Sequence, residues 1–368
     1  MKKNKFKGTV YILHLEPLKE RYTEQWYRWF KKELNNLGIK YKFIQGQTLT
    51  NVVETGSVLD AEGTNYWKFT QMIEVCKLFK EKKVKPGDVF FTMDLWHPSL
   101  EAIPYMATLE KTPVKIYGFL HAGSYTTEDF ASPMAPWAKY FEKGWAKLCN
   151  GVFVGSKYHK NKFIKLRCGK EIGKRIYVTG NPFDSKGAIK TSKAKTIPIK
   201  KRENIIVFSH RFDMEKRPNI FMNLIEKLWE KRKDFKVIIT TSREKFRPNS
   251  EKLIKQLNNS KFPFEVKENL SKAQYYQELS KAKVFVSTTI EENFGYCLLE
   301  AIIFGCAPIV PNDFAHLEIL ENDKKFLYNN QREALEKISK MLDEPISCKK
   351  YAKKYDLSLG KMLKHIIY

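Results

Sequence analysis

Two glutamates eight residues apart, Glu292 and Glu300, bracket a turn and the first turns of a helix within Thr289–Val310. Just upstream, Lys283–Thr288 is apolar and β-branched, which predicts a buried strand. Asn293-Phe294-Gly295 supplies a turn, since Gly accepts positive φ freely and Asn better than most residues. Tyr296–Phe304 then reads as a helix, Gly305 as its C′ glycine, and Pro308-Ile309-Val310 as the start of the next strand. A helix N-terminus behind a glycine turn presents unpaired N–H groups and partial positive charge, a setting that suits a diphosphate. Glu292 precedes that turn and Glu300 lies about two helical turns beyond it. Carboxylates there can accept hydrogen bonds from hydroxyls, as acidic residues do in other nucleotide sites. One would hold a transferred sugar and the other a nucleoside.

This stretch resembles the Glu-x7-Glu signature of retaining GT-B glycosyltransferases, in particular glycosyltransferase family 4. Glu292, Phe294, Gly295, Leu299, Glu300, Ala301 and Gly305 match in register, whereas the usual glycine after the first glutamate is Asn293. A second motif follows the apolar run Asn204–Ser209. His210-Arg211-Phe-Asp-Met-Glu-Lys216-Arg217-Pro218 resembles the family's Arg-x4-Lys clamp on the donor diphosphate. The resemblance implies that Arg211 and Lys216 stabilise the leaving nucleoside diphosphate as charge develops, Arg with fork geometry and Lys as a point charge. It also implies that His121, at the end of strand Val114–Leu120, lines the donor sugar pocket, and that the segment ending at Leu270 reads the base through its backbone. Thr241-Ser242-Arg243, at the end of strand Lys236–Thr241, would border the nucleotide. The family works without bound metal, and no Asp-x-Asp cluster appears, so neither metal nor cofactor is expected beyond the nucleotide sugar, UDP-glucose or similar, as co-substrate.

The first half of the chain must position the other partner. Strands are predicted at residues 8–15, 41–44, 89–93, 114–120 and 151–156, with helices at Glu20–Leu37 and Trp67–Glu81. Ligands of doubly wound sheets sit at the carboxyl ends of strands. Asp94, Trp96 and His97, just after Met93, are therefore acceptor-side candidates. Family members carry a glycine pair after the first strand; here that loop reads His14-Leu15-Glu16-Pro17, which suits a different acceptor site.

With 368 residues, two domains are expected. The boundaries read as 1–183 for a Rossmann-like acceptor domain, 184–203 for a basic linker, 204–345 for the nucleotide-sugar domain, and 346–368 for a helical segment returning to the first. The expected architecture is α/β GT-B, two doubly wound parallel sheets facing a cleft. Six cysteines without Cys-x-x-Cys spacing, and no apolar run near 18 residues, fit a cytoplasmic protein, in a host's cytoplasm if phage-encoded. The formal net charge is +25. Residues 139–202 hold 18 Lys and Arg against three acids. Such a concentration points to a polyanionic partner, DNA in the first instance or an anionic membrane surface; a solvated lysine face is the plain alternative. The expected function is retaining hexose transfer from a UDP-sugar to a hydroxymethylated DNA base, as phage genome-modifying glycosyltransferases perform. A cell-envelope glycan, lipid-linked or teichoic-type acceptor is the second reading, and a non-catalytic nucleotide-sugar or nucleic-acid binding module the third.

Overall fold

A computed structural model describes residues 6–16, 22–49, 61–194, 197–212, 214–241 and 250–367. Pro17, Ser242 and Arg243, named above, lie outside these residues. The chain divides into two units, residues 1–182 with 357–368, and residues 183–356.

The first unit is built on strands β1 (Thr9–Leu13), β2 (Lys40–Ile44), β3 (Val89–Thr92), β4 (Lys115–Leu120), β5 (Gly151–Val154) and β6 (Ile176–Val178). They form one parallel sheet in the order β2-β1-β3-β4-β5-β6. Every residue of β3 and β5 is buried, as expected where helices cover both faces of a parallel sheet. One face carries Trp26, Phe30, Phe91 and Phe153, closed by Met362, Leu363 and Ile366 of the C-terminal helix Ser358–Ile367. The other face carries Phe79, Phe90, Ile103, Trp145 and Phe163.

The second unit holds β7 (Ile205–Phe208), β8 (Lys236–Thr241), β9 (Phe264–Glu268), β10 (Val284–Val286), β11 (Ala307–Pro311) and β12 (Leu327–Tyr328), again all parallel, in the order β12-β11-β10-β7-β8-β9. Numbered within the unit, this is the doubly wound order that reverses direction between its first and fourth strands. The reversal lies between β7 and β10, the two strands that carry the Arg211/Lys216 and Glu292/Glu300 motifs.

Two expected boundaries are corrected. Residues 184–203 are no linker: Ser185–Ser192 is a helix capped by Asp184, whose side chain accepts from Gly187 N at 2.8 Å, and it packs on the helices Lys272–Lys281 and Tyr296–Ile303 of the second unit. Residues 346–356 likewise stay with the second unit, and only residues from 357 onward join the first.

Arg202, counted above with the basic cluster, is buried rather than on a surface. Its guanidinium donates to the carbonyls of Ala282 at 2.7 Å, Phe304 at 2.6 Å and Ile197 at 3.1 Å. Burial depresses its basicity. It thereby ties the chain entering β7 to the ends of two helices. Arg202→Ala strands these carbonyls and opens a gap, so a loss of about 3 kcal/mol is expected, read by urea unfolding. A change under about 0.5 kcal/mol would contradict that role.

Candidate functional site

Local sequence builds the loop before the helix Tyr296–Ile303 as anticipated. Gly295 has φ +91°, a conformation that strains any residue with a Cβ. At the far end Gly305 N donates to Ile302 O and Cys306 N to Ala301 O, with Gly305 at φ +87°, a Schellman closure.

The loop after β7 and the loop after β10 are stitched together. Thr288 Oγ1 donates to the carbonyls of Lys216 at 2.9 Å and Arg217 at 3.0 Å, Thr289 Oγ1 donates to Glu215 O at 3.1 Å, and Ile290 N donates to Glu215 O at 3.0 Å. This stitching brings Arg211, Lys216 and Glu292 into one cluster. Lys216 Nζ lies 3.3 Å from Glu292 Oε2 and 3.7 Å from Glu215 Oε1, and Arg211 pairs with the same Glu215 oxygen. Burial opposes the ammonium charge of Lys216, but Glu292 and Glu215 outweigh it and hold its pKa above the ordinary lysine range. Lys216 is a fixed cation.

Glu292 Oε1 accepts from Gly295 N at 3.0 Å and Phe294 N at 3.4 Å. The helix-terminal amides expected to meet a diphosphate thus hold the Glu292 carboxylate, so an anion arriving there must take its place. Burial drives the neighbouring imidazoles to the neutral form: His210 is well below its usual pKa, and His316 falls to about 4.

Glu300 is buried within the same unit. Its Oε1 accepts from Lys272 Nζ at 2.7 Å and Tyr276 Oη at 3.0 Å. Lys272 and Tyr276 belong to the helix Lys272–Lys281, which sequence patterning left unassigned although a capping box opens it: Ser271 accepts from Gln274 N, and the Gln274 side chain accepts from Ser271 N. Glu215, Thr288 and Thr289 were also missed; the Glu one residue before Lys216 is the sequence signal that could have flagged the first.

Polar atoms without protein partners collect at the carboxyl edge of this sheet. Among the described residues, Thr240 Oγ1 and Thr241 Oγ1 at the end of β8 are buried without a hydrogen-bond partner. Native interiors seldom leave such groups unsatisfied, which makes these two hydroxyls candidate contacts for a polar ligand. Thr241 also lines a cavity of about 260 Å³ with Phe212, Ile254, Leu257, Asn258, Val266 and Glu268. Neither the cationic pair nor Glu292 borders that cavity. Leu270 is half-buried after Asn269, whose N donates to Thr241 O at 3.2 Å, so the two nucleotide-side candidates are neighbours through the backbone.

The remaining candidates belong to the first unit and form their own group. Asp94 Oδ2 meets Lys68 Nζ at 2.7 Å, and its Oδ1 accepts from Trp96 N at 3.1 Å. Burial would raise the Asp94 pKa; Lys68, His121 and the Trp96 amide hold it below the usual range. His121 Nε2 contacts Met93 O at 2.7 Å, and burial depresses its pKa. His97 is buried, its ring nitrogens 2.9 Å from Pro98 O and 3.2 Å from Gln71 Oε1, and burial lowers its pKa to about 3. It is a neutral strut rather than an acceptor-side acid or base. Trp96 packs on Trp145 at 5.9 Å between ring centroids, so it belongs to the core lining.

Comparison with known proteins fits this anatomy. Residues 189–356 match the family model of glycosyl transferases group 1. Over 138 residues the chain is 30% identical to the tRNA-queuosine alpha-mannosyltransferase of Drosophila melanogaster, an alignment covering 36% of this chain and 34% of that protein. The chain thus spans about a third of that relative's length. Across 98% of its length it superposes on 95% of the sucrose-phosphate synthase of Thermosynechococcus elongatus, with TM-score 0.68 and 13% identity. It also superposes on Anabaena HepE, solved with UDP and glucose, over 97% of this chain and 100% of that one, with TM-score 0.62 and 12% identity. At these identities the likeness is one of fold, and the fold is GT-B.

Proposed function

We propose that this chain transfers a hexose from a nucleoside diphosphate sugar, UDP-glucose in the first instance, to a hydroxyl on a nucleic-acid base, with retention at the anomeric carbon. The observation that carries the reading is the cluster at the β7/β10 reversal, where Lys216 and Arg211 share Glu215 and Lys216 faces Glu292 at 3.3 Å. The bond from the sugar C1 to the β-phosphate oxygen breaks, and its electron pair leaves on that oxygen. Arg211 and Lys216 are the cations that would receive this charge. The acceptor oxygen bonds C1 from the face the phosphate leaves, and its proton passes to the departing phosphate oxygen. Glu292 holds sugar hydroxyls and Glu300 the ribose. No covalent enzyme intermediate and no metal-assisted step is invoked.

For the acceptor, a hydroxymethylated base in DNA is the favoured substrate. The basic excess of residues 139–202 supports a polyanion, although Arg202 is buried and Arg167 is committed to Glu142. The partial likeness to a protein named for mannosylating tRNA supports a base hydroxyl as the acceptor class. Such an acceptor must be extruded or unpaired to be reached.

The test is transfer from UDP-glucose to duplex DNA containing hydroxymethyluracil or hydroxymethylcytosine, with unmodified DNA as control and a queuosine-containing tRNA as a parallel arm. Digested nucleosides are read by mass, and α-glucosidase sensitivity of the product reads the configuration. A hexose increment confined to one modified base confirms the acceptor class. UDP release with no nucleic-acid product overturns the acceptor and leaves the transferase.

A further inference from the structure

The helix Ala135–Leu148 of the first unit turns three large rings outward. Trp137 is 52% exposed, Tyr140 68% and Phe141 54%. Their spacing of i, i+3 and i+4 places them on one face. The opposite face is firmly seated, with Ala138, Glu142, Trp145 and Ala146 buried. Glu142 is the anchor, accepting from Ser124 N at 2.5 Å, Ser124 Oγ at 3.0 Å and Arg167 Nε at 2.5 Å. Ring contacts run inward from Trp137 to Phe141, Trp145 and Trp96, each step 5.9 Å between centroids. The outer rings therefore stand on a rigid base.

Lysines interleave with them. Lys139, Lys143 and Lys147 are exposed on the same helix, and Lys139 Nζ lies 5.0 Å from the Tyr140 ring centroid. The turn Ile164–Cys168, packed on this helix, exposes Lys165. Residues 139–175 contain eleven Lys and Arg against two Glu, and one of those two is the buried Glu142.

We infer that this face is a stacking platform for unpaired bases of the acceptor strand. The inference rests on the nucleic-acid acceptor proposed above. Every base has a π-face, so flat rings bind single strands without reading sequence, while lysines track the phosphates. An anionic membrane surface also attracts lysines and apolar side chains. The helix exposes three rings and three lysines, against Pro136 on the same helix and Leu166 on the adjoining turn as exposed aliphatic side chains. Three stackable rings outweigh those two aliphatic side chains, which favours a base over a lipid surface.

The experiment compares the full chain with the triple variant Trp137→Leu, Tyr140→Leu, Phe141→Leu, which keeps apolar bulk but removes the π-faces. Fluorescence anisotropy measures a labelled oligo-dT strand, sedimentation measures phosphatidylglycerol-containing vesicles, and calorimetry measures UDP. The expected result is oligonucleotide affinity at least about tenfold weaker in the variant, with UDP affinity unchanged. A second variant, Lys139→Gln, Lys143→Gln, Lys147→Gln, keeps the rings, and should make the slope of log K against log salt shallower by about 2. If the wild type binds the oligonucleotide and both variants bind it equally well, the platform is refuted while the proposed acceptor stands. If the wild type binds vesicles but no oligonucleotide, and the leucine variant still binds vesicles, the face is a membrane anchor and the inference falls. If the wild type neither binds oligonucleotides nor glycosylates any nucleic acid, inference and acceptor fail together.

Discussion

Lys216→Ala should lower kcat/KM for sugar transfer by on the order of a hundredfold to a thousandfold, the effect of removing one fixed charge-stabilising donor, about 3–4 kcal/mol. Lys216 closes a 3₁₀ turn and its carbonyl is held by Thr288, so the ammonium is carried on a backbone that cannot drift. Glu292 and Glu215 keep it protonated. A cation fixed before the reaction costs nothing to reorganise when the diphosphate leaves, and that is why its removal should act on turnover more than on binding. Lys216→Arg keeps the charge but trades a compact ammonium for a planar fork, and should recover only part of the loss. The check is steady-state kinetics with UDP affinity measured in parallel. An alanine variant within about threefold of wild type in kcat would remove Lys216 from the reaction, because no donor of this kind is that dispensable.

Much of this anatomy was legible because parallel strands covered on both faces read as unbroken apolar runs. Val89–Thr92, Ile205–Phe208 and Val284–Val286 are such runs, and all three became central strands. The strand-to-helix turn with Gly295 and the stop at Gly305 were legible because positive φ restricts the residue types that fit. Segments whose order depends on tertiary partners were not. Ser185–Ser192 looks like a polar linker, and only the Asp184 cap hints at the helix that packing then stabilises. Ala135–Leu148 was missed because its exposed rings blur the apolar stripe that normally announces a buried face. For the candidate site, the resemblance to family motifs singled out Arg211, Lys216, Glu292 and Glu300, of which the structure clusters the first three and places Glu300 against Lys272 and Tyr276. Their partners Glu215, Lys272 and Tyr276 are set by which loops and helices meet, and periodicity carries no record of that. The sequence reading also placed His97 in the site from its position after a strand end, whereas its ring turns into the core toward Gln71.

Glu292→Gln separates two roles that the structure superimposes on one carboxylate. Glu292 lies on the amides of Phe294 and Gly295 and beside Lys216, the ground a donor diphosphate would also occupy. A glutamine of the same shape keeps an oxygen for both amides, puts an NH2 where an oxygen faced Lys216, and carries no charge. Removing a negative charge from the path of an anion should leave UDP affinity equal to wild type or tighter by up to about tenfold, one charge–charge contact near a protein surface. The sugar, in contrast, would lose the proposed carboxylate partner of its hydroxyls, a stronger acceptor than an amide. Turnover should therefore fall by on the order of a hundredfold, about 2.7 kcal/mol, while nucleotide binding does not weaken. Kinetics with UDP-glucose and calorimetry with UDP read the two quantities separately. An equal fall in both would assign Glu292 to holding the nucleotide. A fall in UDP affinity with kcat preserved would make it a scaffold for Lys216, and the sugar hydroxyls would then need another partner.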